Sequence, residues 1–430
     1  MGRDRSIGSA VRASAVLVGL IAVAAEVFAS AQHARPPPIP KSGPLAQPRS
    51  ARQVGLPVEE TLAAIPADNP QTAEKIALGR KLFFDGGLSV DGTVACATCH
   101  DPQRAFTDGR RTSIGVQGRT GQRNSPTVLN ALYNKTQFWD GRAKTLEDQA
   151  VLPIVNPVEM GQPDLEAAVA ALSAYPEYQQ AFQEVFGRPA NGPDLVRAIA
   201  SYERTLASFD SPFDRFLAGD GKAIGQAAKR GWVLFNGRAR CNKCHALPDD
   251  TPHLTNFKDD DFHNIGVLIL RHHVVPLARK AEKLVDSGNA AEVDRAAIQS
   301  DMSALGRFLV TKKEPDIASF KTPGLRNVMV TGPYFHDGSH ETLWDVLDHY
   351  NKGAGLRDPW LDQDIQPLGL KESELDDLVA FMASLTSEVY QAQAAQELSR
   401  QRALARTNRP YRNTARAFGL KPPKPALTPQ

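Results

Sequence analysis

The chain of 430 residues carries 50 lysines and arginines against 48 aspartates and glutamates, which gives a formal charge of +2. This balance gives no electrostatic reason to expect nucleic-acid binding, and no basic segment is interleaved with aromatic residues. With 42% hydrophobic and 23% charged residues, the composition excludes a disordered or fibrous protein, and the length allows two domains.

The N-terminal segment predicts export. Arginines near the start precede an apolar stretch over residues 15–25, and Ala29-Ser30-Ala31 offers a cleavage site with small residues. Such a segment is typical of a secretory signal peptide and is too short to span a membrane; an uncleaved anchor is the alternative. We therefore predict a signal peptide over residues 1–31, a periplasmic location and no transmembrane segment after its removal. The proline-rich residues 32–55 predict an extended linker.

Two copies of one cysteine motif use all four cysteines of the chain. They read Cys96-Ala-Thr-Cys99-His100 and Cys241-Asn-Lys-Cys244-His245. This is the attachment motif of c-type haem, in which two thioethers hold the porphyrin and the histidine ligates the iron. A four-cysteine zinc site or a redox dithiol is the alternative, but neither needs the histidine after each pair. The motifs predict two covalent haem c groups with His100 and His245 as iron ligands.

A similar lead-in precedes both motifs. Gly79-Arg-Lys-Leu82-Phe83 comes before the first and Gly231-Trp-Val-Leu234-Phe235 before the second. Each predicts a helix that brings Leu-Phe to a haem, so the two halves are a diverged duplication. We predict a mainly α fold with two cytochrome c-like haem domains packed against each other, over residues 56–222 and 223–390.

Other helices are predicted from apolar residues at three- and four-residue spacing. They cover residues 164–186, 193–217 and 372–385, with Asp164 and Asp194 near the N-caps of the first two, and signals for strands are sparse. Residues 391–430 form a basic, proline-rich tail that we predict to begin as a solvated helix. Docking of this tail on an acidic partner or membrane surface remains open.

Further segments resemble a known family. They are Ser113-Ile-Gly-Val116, Arg123-Asn-Ser-Pro126, Phe138-Trp-Asp-Gly-Arg142, Asn156-Pro-Val-Glu159, Phe262-His-Asn-Ile-Gly266 and the run from Lys321 to Ser339. In these segments and their order, residues 56–388 resemble the bacterial di-haem cytochrome c peroxidases and the related MauG proteins. The resemblance implies that the N-terminal haem is the peroxidatic one and that the C-terminal haem takes in and stores electrons.

The resemblance also implies roles for single residues. Glu159 matches the distal glutamate that moves the peroxide proton, with Gln149 and Pro153 in the same pocket. Cleavage of an O–O bond needs such a group, because one oxygen must lose a proton and the departing oxygen must gain one. Trp139 matches the tryptophan between the haems that relays electrons, although a core aromatic residue is the alternative.

A calcium site between the haems is implied in the same way. Asn124 and the backbone carbonyls of Thr331 and Pro333 match its ligands. Oxygen donors of this kind suit Ca²⁺.

Two positions depart from the peroxidase pattern. Val116 stands where the peroxidases carry a histidine that blocks the first iron, so we predict a first haem open to peroxide without reductive activation. Tyr350 stands at the distal ligand position of the second haem, where the peroxidases have methionine and MauG-type proteins have tyrosine. A phenolate ligand lowers the reduction potential. The adjacent His349, or no protein ligand, is the alternative.

Three functions follow as hypotheses. The first is a periplasmic di-haem peroxidase that reduces H₂O₂ to water with electrons from a small redox protein, such as a cytochrome c or a cupredoxin. The second is a MauG-like enzyme that uses peroxide-derived high-valent haem to oxidise a protein or small-molecule substrate. The third is an electron-transfer di-haem cytochrome, in which protein ligands would occupy both axial positions of each haem iron.

Overall fold

The computed structural model describes residues 46–54, 56, 58–247, 255–267, 274–355 and 359–408. The fold is mainly helical, as predicted. Strands β1 (Phe262–His263) and β2 (Phe320–Lys321) pair antiparallel, with Phe262 opposite Lys321. The predicted signal peptide and most of the predicted linker lie outside the described residues. In the described part of the chain, no helix combines the length and the apolar character needed to cross a membrane.

Helices account for most of the ordered elements in both halves. In the first half they are α1 (Val58–Ala63), α2 (Ala73–Phe83), α3 (Cys96–Cys99), α4 (Leu146–Val155), α5 (Leu165–Ser173), α6 (Pro176–Phe186), α7 (Gly192–Glu203) and α8 (Pro212–Leu217). In the second half they are α9 (Gln226–Asn236), α10 (Val274–Asp286), α11 (Ala290–Gln299), α12 (Phe308–Thr311), α13 (Leu343–Asn351), α14 (Glu372–Ala383) and α15 (Gln391–Asn408).

Prolines divide the two long helices that were predicted for the first half. Pro176 occupies the first turn of α6, so α5 and α6 are separate helices, and Pro212 begins α8 after a break behind α7. Proline is favoured at a helix start because a backbone N–H at that position would have no acceptor within the helix, so its absence costs nothing. As predicted, Asp164 and Asp194 lie at or near the helix starts, since Asp164 caps α5 and Asp194 lies in the first turn of α7, whose N-cap is Asn191.

The predicted duplication is present as two equivalent helix crossings. Helix α2 crosses α7 at Gly79, where an added Cβ would lie 1.8 Å from the Ala198 carbonyl oxygen. Helix α9 crosses α14 at Gly231, where an added Cβ would lie 2.0 Å from the Asp377 carbonyl oxygen. Only glycine allows two backbones to approach so closely. The glycine that opens each lead-in motif therefore sets the distance between two helices.

The phenylalanine that ends each lead-in motif reaches its predicted haem histidine. Phe83 and Phe235 are both fully or almost fully buried. The ring centroids of Phe83 and His100 are 6.5 Å apart, and those of Phe235 and His245 are also 6.5 Å apart. The two lead-in helices thus present the same side chain to the same neighbour in both halves.

The duplication extends into segments that the sequence analysis did not align. Asn130 and Asn327 both adopt a left-handed conformation, with φ of 62° and 61°, and each begins a short 3₁₀ turn. At the same spacing further on, Thr145 and Thr342 form capping boxes at the starts of α4 and α13. These two helices are therefore equivalent.

Reciprocal contacts join the two halves at their equivalent positions. The Asn124 N–H donates to the His336 carbonyl at 2.8 Å, and the Lys321 N–H donates to the Trp139 carbonyl at 2.7 Å. Trp139 and His336 are equivalent residues, and their ring centroids are 6.5 Å apart. Each half donates at one position and accepts at the other, and such a reciprocal pair of contacts indicates an approximate two-fold relation between the halves. The largest hydrophobic core also runs through both halves, while the predicted domain boundary after residue 222 stays a prediction.

The C-terminal tail begins as helix α15, as predicted. The predicted solvated character is wrong for one face of this helix, because Ala394 and Gln401 are 5% and 0% exposed. The tail beyond residue 408 lies outside the described residues.

We expect Gly79→Ala to destabilise the protein, because its methyl group would overlap the α7 backbone. Overpacking of this kind costs about 1–3 kcal/mol. Gly221→Ala is the matched control, since an added Cβ there meets nothing within 4 Å. Urea unfolding followed by circular dichroism gives the comparison. Equal midpoints for the two variants would contradict the assigned role of the crossing.

Candidate active site

A cavity of about 280 Å³ collects the residues of the first predicted haem site. Its wall includes the whole first motif, Cys96, Cys99 and His100. It also includes the predicted distal, relay and calcium residues Glu159, Gln149, Pro153, Trp139, Asn124, Thr331 and Pro333. Segments that are far apart in the sequence therefore meet around one space. Within the described residues, His100 is the one histidine on its wall.

The cysteines fit thioether attachment better than the alternatives. All four are free of disulfide bonds. Burial raises the pKa of Cys96, Cys99 and Cys241 above that of an ordinary thiol, which disfavours the thiolate that a redox dithiol needs. Among the described residues, no group of potential metal ligands brings the two cysteine pairs together, as a four-cysteine zinc site requires.

Each motif histidine is oriented by a backbone carbonyl. The Nδ1 atom of His100 lies 3.1 Å from the Phe106 carbonyl oxygen, and that of His245 lies 2.7 Å from the Phe257 carbonyl oxygen. Both phenylalanines have positive φ, at 59° and 55°, so the same uncommon backbone conformation aims both carbonyls. Burial lowers the pKa of both histidines. A neutral imidazole that donates through Nδ1 leaves Nε2 for a metal.

The second centre contains the second motif and Tyr350. Burial raises the pKa of Tyr350, and the nearby Cys244 and Cys241 sulfurs raise it further, which places this phenol beside the second motif. The Nε2 atom of His349 lies 2.7 Å from the Ile265 carbonyl oxygen. His349 is therefore held by backbone, whereas the Tyr350 hydroxyl has no hydrogen-bond partner among the described residues.

The loop that carries Glu159 is fixed from both sides. The Glu159 N–H donates to the Asn156 carbonyl at 3.0 Å, and the Val116 N–H donates to the Glu159 carbonyl at 2.9 Å. Val116 is 1% exposed and does not line the cavity. An added Cβ at Gly115 would lie 2.0 Å from the Val158 carbonyl oxygen. The segment that carries a histidine in the peroxidases here packs against the Glu159 loop.

The electrostatics around Glu159 bring its protonation equilibrium close to neutral pH. Burial and the negative charge of Asp294 raise the pKa of Glu159 to about 7, against the opposing effect of Arg142. Arg142 donates to Asp294 at 2.8 Å and to Asp140 at 3.0 Å. Since these two carboxylates already neutralise Arg142, its charge cannot hold Glu159 fully ionised.

Trp139 and Asn124 are joined at the boundary between the halves. The indole Nε1 of Trp139 donates to the Asn124 carbonyl at 2.9 Å. The side-chain amide of Asn124 donates to the Arg110 carbonyl at 2.9 Å, which turns its own oxygen away from that bond and leaves it as an acceptor. Thr331 and Pro333 lie on the same cavity wall, and oxygen donors such as the Asn124 side chain and backbone carbonyls are of the type that suits a hard cation.

Two acids of this site were missed by the sequence analysis. Asp294 lies on α11, a helix with no motif, and it also accepts from Asn156 at 2.6 Å. Glu203 lines the cavity from α7 and is 4% exposed, and its Oε2 atom has no hydrogen-bond partner in the described part of the chain. A glutamate on the buried face of an amphipathic helix was a signal in the sequence for Glu203. Nothing local marked Asp294.

A group formed by Cys244, Asp259 and His263 resembles a metal site. Both ring nitrogens of His263 are already engaged, with Asp362 at 2.6 Å and Asp259 at 3.0 Å. Asp259 in particular raises the pKa of His263 to about 11, so the ring is a cation and offers no lone pair. The group is a charge-paired histidine beside the second motif.

Known proteins resemble the chain over most of this architecture. The sequence profile of the family described as di-haem cytochrome c peroxidase matches residues 73–222. The chain is 38% identical to the methylamine utilization protein MauG of Methylorubrum extorquens over 325 residues, which cover 75% of this chain and 81% of that protein. It is 34% identical to the cytochrome c551 peroxidase of Nitrosomonas europaea over 330 residues, which cover 76% and 85% of the two chains.

Solved structures agree with these relatives. A MauG-like protein associated with microbial copper homeostasis matches with a TM-score of 0.62 and 32% identity, over 75% of this chain and 92% of that one. The fold is also that of the diheme peroxidase BthA from Burkholderia thailandensis, with a TM-score of 0.59, 24% identity and coverage of 75% and 88%.

We expect Glu203 to make stability fall as the pH rises. Burial raises its pKa to about 8, against the effect of Arg204 and with a contribution from Glu147, whereas an unfolded glutamate has a pKa of about 4.3. The native state therefore binds the proton more tightly between these values, and stability present below about pH 4 is lost progressively up to about pH 8, by on the order of a few kcal/mol.

Glu203→Gln removes this dependence. Thermal unfolding should show the stability of Glu203→Gln rising relative to that of the wild type between pH 5 and pH 8. Glu184→Gln, at an exposed position of α6, should show the same pH dependence as the wild type. A difference between Glu203→Gln and the wild type that stays constant with pH would show that Glu203 ionises normally.

Proposed function

Because the chain belongs to the di-haem cytochrome c peroxidase family, whose members are haem-dependent oxidoreductases with two c-type haems, we propose that it reduces H₂O₂ at the first haem without reductive activation. The observation that carries this proposal is the cavity in which Glu159, with a pKa of about 7, faces a haem attachment motif. His100 would hold this iron and His245 with Tyr350 the other. A bound haem would supply the redox centre for cleavage of the O–O bond.

Glu159 has the properties of the group that moves the peroxide proton. Its carboxylate form would accept a proton from one oxygen of H₂O₂, and its acid form would return that proton to the other oxygen, which would leave as water once a bound haem supplied the two electrons that cleave the O–O bond. A group serves both steps best when its pKa lies near the working pH. Burial and Asp294 bring Glu159 into that range. Gln149 and Pro153 complete the pocket wall.

The equivalence of α4 and α13 supports an open first centre. At the position where α13 carries Tyr350, α4 carries Pro153, and proline has no side-chain donor for a metal. Val116 likewise offers no ligand and is buried against the Glu159 loop. A plain electron-transfer cytochrome would need a protein ligand at one of these positions.

Trp139 is the proposed route for electrons between the centres. It lies on the cavity wall and its ring contacts His336 from the other half. Electrons would enter at the second centre from a small redox protein, such as a cytochrome c or a cupredoxin. We propose a periplasmic location, because covalent haem attachment requires export and the signal-like N-terminus predicts it. Calcium bound by Asn124, Thr331 and Pro333 would tie the two halves together.

A second candidate function keeps the same first centre. Tyr350 stands where MauG-type proteins have tyrosine, and a phenolate ligand stabilises an oxidised iron. The oxidised haems would then oxidise a protein or small-molecule substrate and not a small redox protein. Comparing turnover with a reduced cytochrome c and with a small phenolic donor separates the two candidates.

We expect the oxidised wild type to react with one equivalent of H₂O₂, and Glu159→Gln to react about 10²- to 10⁴-fold more slowly. The wild-type rate should fall as the pH drops below about 7, because the base form of Glu159 is lost, and this dependence should vanish in Glu159→Gln. Stopped-flow absorbance measures both. A rate that Glu159→Gln leaves unchanged would remove Glu159 from the mechanism.

Electron paramagnetic resonance of the oxidised protein should show one high-spin and one low-spin haem, with both signals lost on adding peroxide. Tyr350→Met should raise the reduction potential of the low-spin haem, because a thioether favours the reduced iron. Two low-spin haems that ignore peroxide would overturn the open first centre. An unaltered potential in Tyr350→Met would show that another group ligates the second haem.

A further inference from the structure

Gln401 is a fully buried polar residue on the C-terminal helix α15. It is 0% exposed, and its amide is engaged at both ends. Its Oε1 accepts from the Leu343 N–H at 2.9 Å, and its Nε2 donates to the Tyr334 hydroxyl at 3.0 Å and to the Met329 carbonyl at 3.3 Å. A single side chain thus bonds three separate points of the second half.

Two of these points, at Leu343 and Tyr334, belong to segments that lead to the second centre, and the third, at Met329, precedes a residue on the wall of the first cavity. Leu343 is the first residue of α13, the helix that carries Tyr350. Tyr334 precedes Phe335, whose ring centroid is 6.1 Å from that of Tyr350. Met329 lies in the 3₁₀ turn that leads to Thr331. Gln401 therefore connects the start of the Tyr350 helix to the turn that packs against Tyr350.

The first half has no such connection. Helix α4 is equivalent to α13, but the Leu146 N–H at its start has no side-chain acceptor among the described residues. The two helices also differ in what they carry, since α4 has Pro153 where α13 has Tyr350. The extra hydrogen bond is thus found on the helix that bears a candidate metal ligand, and it is missing on the helix that bears none.

Other contacts of α15 show that the helix is docked along its length. The Tyr390 hydroxyl just before α15 donates to the Pro102 carbonyl at 2.8 Å, in the loop after the first motif. Arg402 pairs with Asp376 at 3.4 Å, and the Trp344 indole donates to the same carboxylate at 3.0 Å. Helix α15 therefore pairs with α14 through Arg402 and contacts the start of α13 through the buried Gln401, while the residue just before it bonds to the first half.

We propose that Gln401 is a positioning residue for the second haem, which holds α13 and the turn before it so that Tyr350 keeps its place as ligand. The inference rests on the proposed role of Tyr350. Loss of the amide would leave a buried N–H and a buried carbonyl without partners, and because such groups are destabilising and rare, we expect the backbone that carries them to shift. Movement of α13 would shift Tyr350 relative to the second cysteine motif, which would hold the second haem.

The test compares Gln401→Met with Gln396→Met in the full-length protein with both haems attached. The first change removes the buried amide at similar volume, and the second makes the same substitution at an exposed position of the same helix. In Gln401→Met we expect the low-spin resonance signal to broaden or shift and the potential of the second haem to rise. The high-spin signal of the first haem should be unchanged, and Gln396→Met should match the wild type.

If Gln401→Met does not retain two haems, Gln401→Glu supplies the readout, because it keeps the acceptor for Leu343 and loses the amide N–H donors. The proposal would be overturned if the Gln401 variant that retains both haems showed the resonance signals and haem potentials of the wild type. Where Tyr350→Met alters the second haem but the Gln401 variant does not, only the positioning role fails. Where neither alters it, the assignment of Tyr350 itself has failed.

Discussion

Two backbone hydrogen bonds hold the halves of this protein together at the point where electrons would cross. The Asn124 N–H binds the His336 carbonyl, and the Lys321 N–H binds the Trp139 carbonyl. Because they are exchanged between equivalent segments, these bonds join the two halves at matching positions. They also bring the Trp139 ring against the His336 ring. The proposed path between the centres would therefore run where these two backbone hydrogen bonds set the distance between Trp139 and His336.

Duplication supplies two similar scaffolds, and a few substitutions make them chemically different. Both halves share the glycine crossing, the buried phenylalanine, and the carbonyl that orients the motif histidine. They differ at one helical position, which is Pro153 in α4 and Tyr350 in α13. A residue without a donor leaves room for a reactant, whereas a phenol can fill a coordination position. Helix α15 adds to this difference, since it contacts the start of α13 through Gln401.

The sequence predicted the helical fold, both motifs and the lead-in repeat, because each depends on residues that are close together in the chain. It also predicted which distant segments share a cavity, but only through resemblance to a family. It did not predict the equivalence of α4 and α13, although both segments contain Phe-x-Asp-Gly and Thr-Leu-x-Asp at residues 138–148 and 335–345, because these short matches lie at different distances from the two cysteine motifs. It also missed Asp294, because a lone acid on a polar helix acquires meaning only when folding buries it beside Arg142.

The buried acids of the first cavity favour proton transfer near pH 7 and at the same time reduce the stability of the fold once they ionise. Glu159 and Glu203 both line it, and burial raises the pKa of each toward or above neutrality. A carboxyl group in such a place is costly once ionised, since few groups replace the water it has lost. The same loss of water makes Glu159 able to take and return a proton near pH 7. Arg142 could hold the acid ionised, but Asp140 and Asp294 already neutralise its charge. The ion cluster of Arg142, Asp140 and Asp294 would therefore act on the proposed reaction by keeping a nearby cation from holding Glu159 ionised.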